Sequence, residues 1–138
     1  EYIRTVLPLP EDEAEWEKLH VMFATAKGSV RRNSMDAFEN IPSNGKIAMR
    51  FAEDSDDKLI GVALLQESDD VLLATRNGKA IRFSATDVRA FASRTATGVR
   101  GVTLKDDDEA EGHFQTMDCD FQDDRRRTLL ALANHLQK

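Results

Sequence analysis

Cysteine is almost missing from this chain. Cys119 stands alone, which excludes an internal disulfide and a cysteine-rich zinc site and makes a reducing cytoplasm the expected location. Long hydrophobic runs are missing too: no stretch of about 18 apolar residues occurs, so no membrane-spanning helix and no membrane partner is expected. The chain opens on Glu1-Tyr2-Ile3-Arg4 with no secretory signal, as a piece cut from a longer protein would. Aromatic residues make up only 7%, too few and too buried in pattern for a platform that stacks single-stranded bases. The histidines, His20, His113 and His135, are scattered and suggest no triad. The acidic run from Asp106 to Glu111, with His113 beyond it, lacks the alternating ligands and glycine of a calcium loop. It reads as a solvated turn, and no catalytic, metal or cofactor site is expected.

What the chain does have is a repeat. The run Val21-Met22-Phe23-Ala24-Thr25-Ala26-Lys27-Gly28 returns fifty residues later as Val71-Leu72-Leu73-Ala74-Thr75-Arg76-Asn77-Gly78, and an arginine follows at the same distance, Arg32 and then Arg82. That period belongs to propeller blades and related arrays. Each copy predicts a β-hairpin, a short apolar run meeting a turn glycine and returning with positive charge. Asn77-Gly78 is the stronger turn signal, because both residues tolerate the positive φ of a type I′ turn. Side chains alternate along the return strand, so Ala80 and Arg82 share one face while Lys79, Ile81 and Phe83 share the other.

Around the hairpins the pattern predicts a strand over 2–9 ended by Pro8 and Pro10, then an acidic loop or short helical turn in which Trp16 and Leu19 cover an edge. A strand is predicted over 46–51, with Ile47, Met49 and Phe51 on one face. Another is predicted over 59–65, where Gly61 allows close backbone approach. The segment 98–104 stands where 45–51 stood, and 112–121 is a poor copy of 59–65 that would serve as an edge strand. From about Asp124 to Gln137, Leu129, Leu132, Ala133 and Leu136 recur at helical spacing, although Arg125, Arg126 and Arg127 oppose the helix dipole. The expected fold is thus mainly β and propeller-like, two four-stranded blades and a C-terminal helix. The expected division is a first blade over 1–57, a second over 58–105, and a tail over 106–138 holding an acidic turn, a divergent strand and the helix. An unpaired edge on the last sheet would be a pairing hazard, to be covered by that helix or by a second copy of the chain.

Charge is segregated along the same divisions. The net formal charge of −6 argues by itself against nucleic acid, yet residues 20–51 carry +3 and 70–105 carry +5, while the rest is acidic. Lys27, Arg31, Arg32, Lys46 and Arg50 in the first unit, and Arg76, Lys79, Arg82, Arg89, Arg94 and Arg100 in the second, form a cationic set that recurs with the repeat. Such an array can follow a duplex backbone by phosphate contacts, with little sequence preference. The alternative is a protein-interaction β-module that uses acidic loops and exposed edges.

Five stretches, taken together, resemble a known family. They are Phe23-Ala24-Thr25-Ala26-Lys27-Gly28, Gly45-Lys46-Ile47-Ala48-Met49, Leu59-Ile60-Gly61-Val62, Arg76-Asn77-Gly78-Lys79-Ala80-Ile81-Arg82-Phe83 and Thr97-Gly98-Val99-Arg100-Gly101-Val102. In that order and spacing they resemble the C-terminal domain of the DNA gyrase A protein, from about Ile3 to Leu104. The resemblance implies a β-pinwheel, a propeller-like disc of five or six blades that exchange strands, with duplex DNA wrapped on a basic rim. It also implies an accessory role in an ATP-dependent type II topoisomerase that changes DNA supercoiling, with the rest of gyrase A and gyrase B as partners. The family's Gln-Arg-Arg-Gly-Gly-Lys-Gly type of box does not occur here. Topoisomerase cleavage needs a tyrosine nucleophile beside an arginine and a magnesium-binding carboxylate cluster, and Tyr2, the single tyrosine, has no such neighbours in sequence.

Overall fold

The two predicted hairpins form, in register with one another. A computed structural model describes residues 6–51, 53–105 and 108–117. Strand β1 (His20–Thr25) pairs with β2 (Ser29–Ser34), β3 (Leu59–Leu65) follows, and β4 (Asp70–Thr75) pairs with β5 (Ala80–Ser84). His20 lies opposite Ser34 and Ala24 opposite Val30, and fifty residues on Asp70 lies opposite Ser84 and Ala74 opposite Ala80. Both turns are held alike. The N–H of Gly28 reaches the Thr25 carbonyl at 2.9 Å and that of Gly78 the Thr75 carbonyl at 3.1 Å. The buried threonine hydroxyls accept from the N–H groups of Ser29 and Lys79, each at 3.1 Å. The glycines sit at φ +83° and +81°, but Asn77 has no positive φ, so the turn is not the type I′ that Asn-Gly predicts. It is a three-residue loop in which one left-handed glycine supplies the chain reversal.

Strands β6 (Val99–Arg100) and β7 (Ala110–Met117) complete two antiparallel sheets, ordered β3-β1-β2-β6 and β5-β4-β7. The first has four strands, two of which come from the unit expected over 58–105, and the second has three among the described residues. β7 pairs with β4 as β3 pairs with β1, so the poor copy of 59–65 does form a strand, beginning slightly earlier than expected. β3, expected from the sequence to open the second unit, lies in the sheet of the first hairpin, and β6 crosses back to pair with β2. Segments are therefore exchanged between the sheets across the boundary expected at 57/58.

Two predicted strands are corrected. Residues 6–9 and 46–51 form no strand, and Ile47 and Phe51, expected to face inward with Met49, are 52% and 37% exposed. Periodicity marks a segment able to be a strand, but the backbone bonds need a neighbouring edge, and no described strand offers one to 46–51. The acidic stretch becomes a 3-10 helix (Glu13–Lys18) capped by Asp12, whose carboxylate accepts from the Ala14 N–H at 2.9 Å. The helix predicted over 124–137 lies outside the described residues.

β1 is buried along its whole length because both of its faces are covered. Met22 and Ala24 join Val30 and Leu65 in a core that also holds Val71 and Leu73 of β4. On the other face Val21 and Phe23 meet Met35, with Trp16, Leu19, Ala48 and Met49 packed around them. Burying a side chain such as Leu73 or Val71 contributes about 1.5–3 kcal/mol, so this shared core joins the two sheets.

Candidate nucleic-acid interface

The hairpin turns carry their cations at the tips, where a strand reversal leaves side chains in solvent. Lys27 and Arg76 occupy equivalent loops, one residue after Ala26 in the first and directly after Thr75 in the second, and both are exposed. β6 brings Arg100 beside the first turn by pairing it with Ser29. The three line one open cleft together with Lys58 and Lys105, which were not in the cationic set selected from the sequence. Each of these lysines directly abuts an acidic run, and that adjacency was the available signal: the runs fold back against the turns and carry the lysines with them.

The cleft is not purely cationic. Lys27 Nζ bonds the Asp56 carboxylate, and the Lys27 N–H donates to Asp57 at 2.9 Å. The bond to Asp56 raises the Lys27 pKa, and the same bond holds the Asp56 carboxyl below its ordinary range. Glu109 bridges Arg76 at 3.0 Å and Lys58 at 3.6 Å, and Asp108 accepts from the Asn77 N–H at 3.0 Å. The acidic segments predicted as free solvated loops thus embrace the hairpin tips. Exposed ion pairs of this kind contribute little to stability, so the fold does not depend on them.

Arg31 and Arg32 leave the phosphate-contacting set, because the fold buries both. Arg31 has no exposed surface, and its guanidinium donates to the carbonyls of Arg94 at 2.5 Å, Ala96 at 2.8 Å and Ala48, while lying 4.5 Å over the Phe23 ring. Burial lowers its pKa from the ordinary arginine value. Arg32 donates through Nε to the Val88 carbonyl at 2.8 Å and approaches Glu67 at 3.5 Å. Both cross from the first sheet to the segment after the second hairpin, and the alternation of the return strand could not show this because the burying segment lies some sixty residues away.

The other predicted residues divide by what holds them. Lys46 donates to the Glu39 carbonyl at 2.6 Å and Arg94 to the Ile47 carbonyl at 3.1 Å, both fastening loops. Arg89 lies 4.2 Å over the Phe91 ring. Lys79 is exposed and donates to the Thr103 carbonyl at 2.5 Å, and Arg50 is exposed. Arg82, the sequence counterpart of Arg32, is exposed and paired with Asp70. Among the described residues no group of three His, Cys, Asp or Glu side chains could hold a metal ion, and no helix is long and apolar enough to cross a membrane.

Residues 19–66 and 69–112 match the family model described as DNA gyrase C-terminal domain, beta-propeller. The chain is 51% identical over 108 residues to the DNA gyrase A protein of Rickettsia bellii, covering 78% of this chain and 12% of that protein. It is 41% identical over 112 residues to the DNA gyrase A protein of Staphylococcus aureus, covering 81% and 12%. The chain therefore spans about an eighth of the length of these relatives. Among solved structures, the C-terminal domain of DNA topoisomerase IV aligns with a TM-score of 0.65 at 23% identity, over 72% of this chain and 30% of that one. A DNA gyrase A C-terminal domain aligns with a TM-score of 0.60 at 23% identity, over 69% and 30%. At that identity the two structures speak for the fold alone.

Proposed function

The chain belongs to the DNA gyrase C-terminal domain family, and on that premise we propose that it engages duplex DNA by phosphate contacts, bending or wrapping it without strong sequence preference. Its place is then that of a non-catalytic part of a type II topoisomerase in the cytoplasm, acting with the rest of gyrase A and with gyrase B. The observation that carries the proposal is the convergence of Lys27, Arg76 and Arg100, with Lys58 and Lys105, at the tips of both hairpins. Cations at one end of successive repeats meet successive phosphates, and they do so by charge alone. Lys79, Arg50, Arg82 and Arg89 extend the exposed set.

The net charge of −6 keeps the interaction weak, in the non-specific range of about 10⁻⁴ to 10⁻⁶ M. Fluorescence anisotropy with a labelled duplex at several low salt concentrations tests it. Lys27→Ala and Arg100→Ala should each weaken binding to any sequence alike and make the salt slope shallower by about one ion per lost contact. Unchanged affinity and slope in the double variant would overturn the proposal. The alternative reading, a protein-interaction module that uses acidic loops and exposed edges, predicts instead that neither the affinity for duplex nor its salt slope responds to these substitutions.

A further inference from the structure

Between the two repeats the residues at the hairpin tips change, and the group that grips each tip does not. Ala26 gives way to Arg76, Lys27 to Asn77 and Lys58 to Glu109. Leu59 lies opposite Thr25 as Ala110 lies opposite Thr75, so Asp57 and Asp108, each two residues earlier, hold equivalent places. Their bonds are equivalent too. The Asp57 carboxylate accepts from the N–H groups of Lys27 and Lys58, each at 2.9 Å, and the Asp108 carboxylate accepts from the Asn77 N–H at 3.0 Å. The next residue completes the grip through its backbone: the Lys58 carbonyl accepts from the Ala26 N–H and the Glu109 carbonyl from the Arg76 N–H, both at 2.9 Å.

These two carboxylates differ from the neighbours that form ion pairs. Asp56 and Glu109 meet cationic side chains, those of Lys27 and Arg76, whereas Asp57 and Asp108 meet backbone N–H groups in the turns. A turn N–H in solvent is satisfied by water at little cost, so the chain reversal, which Gly28 and Gly78 supply, does not call for these acids. What their bonds add is order. They tie down the backbone that carries each cation, at Lys27 through its own N–H, and at Arg76 through its own N–H and that of Asn77. The same segment joins the tips to each other: the Ala110 N–H donates to the Ala26 carbonyl at 2.8 Å, so the run 108–110 bonds to both turns and sets the spacing of Lys27 and Arg76.

We infer that Asp57 and Asp108 are positioning residues of the proposed duplex contact: their hydrogen bonds fix the backbones that carry Lys27 and Arg76 and so strengthen the hold on phosphate, although their charge opposes it. The inference rests on the DNA-binding reading and deepens it by dividing the acidic residues of the cleft into two kinds. A tip already held in place spares the ordering that a phosphate contact would otherwise impose on it. The charge of each carboxylate acts the other way, by repulsion that salt screens. Substitution separates the two effects. Asparagine keeps the acceptor oxygen and removes the charge, whereas alanine removes both.

Fluorescence anisotropy with a labelled duplex at low salt, on wild type and on Asp57→Asn, Asp57→Ala, Asp108→Asn and Asp108→Ala, tests the inference, with amide hydrogen exchange of the free chains alongside. The asparagine variants should bind a few-fold more tightly than wild type. The alanine variants lose the same charge, yet each should bind roughly two- to tenfold more weakly than its asparagine counterpart. Exchange should quicken at 27–29 or 77–79, the altered tip alone, while β1 and β4 stay protected as in wild type and show that the fold is intact. Alanine and asparagine variants that bind alike, in a chain whose wild type binds duplex, would overturn the inference and leave the DNA-binding reading standing. Faster exchange spread through β1 and β4 would also overturn it, since that is the mark of a role in folding alone. A wild-type chain without measurable affinity for duplex would overturn both.

Discussion

Single side chains decide how the first sheet holds the chain that returns to it, and Arg31 is the clearest. Its guanidinium serves carbonyls of Arg94, Ala96 and Ala48 from a site without exposed surface, so truncation leaves those acceptors and the Phe23 face without a partner. Arg31→Ala should lower unfolding stability by about 3 kcal/mol in urea titrations, and Arg31→Lys should recover only part of it, since an ammonium lacks the planar fork. A cost below about 1 kcal/mol would place the role elsewhere. His20 gives a pH dependence at the same scale. Burial lowers its pKa first and the Arg32 charge lowers it further, against the opposing pull of Glu67 at 3.7 Å and of Asp36. The folded chain therefore binds a proton at His20 less readily than the unfolded chain. Its contribution is complete above the ordinary value of 6.5 and falls away as pH drops from there toward the lower folded value. Stability measured from about pH 7.5 to 5.5 should decline, and His20→Gln should flatten that part of the curve.

Among the elements, the hairpins were legible from the sequence and the segment 46–51 was not. A hairpin carries its instructions locally, in the Thr25 and Thr75 hydroxyls and the left-handed Gly28 and Gly78. The strand pattern at 46–51 depends on an edge that the local sequence does not contain. The two turn glycines separate conformation from contact. A Cβ on Gly78 meets nothing within 4 Å, whereas one on Gly28 would lie 2.7 Å from the Val102 carbonyl oxygen and 2.8 Å from Cγ1 of Val102. Gly78→Ala should cost about 1 kcal/mol, the left-handed penalty alone, and Gly28→Ala roughly 2–4 kcal/mol, because backbone must also move. Equal costs in chemical denaturation would show that the contact of the first turn with Val102 yields freely.

For the whole molecule, the proposed duplex contact makes the acidic segments competitors for the cationic set. Asp56 occupies Lys27 while lying 82% exposed itself, so it acts as a replaceable counterion. Asp56→Asn should tighten duplex binding a few-fold at low salt and steepen the salt slope, with no measurable change in thermal stability. Weaker binding of that variant would mean that Asp56 positions Lys27 for the contact.

The sequence by itself determined the repeat, the two hairpins with their turns at Gly28 and Gly78, the mainly β fold and the segregation of charge, because each is written in residues that lie close together in the chain. Only the tertiary structure decided which cations face solvent. Arg32 and Arg82 stand at matching positions, and one is buried while the other is exposed because 88–102 folds back onto β2 and no described segment lies along the edge of β5 away from β4. Lys58 and Lys105 entered the candidate interface in the same way, carried there by acidic segments that close on the hairpin tips. Burial is a property of what a distant segment does, and a local pattern holds no record of it.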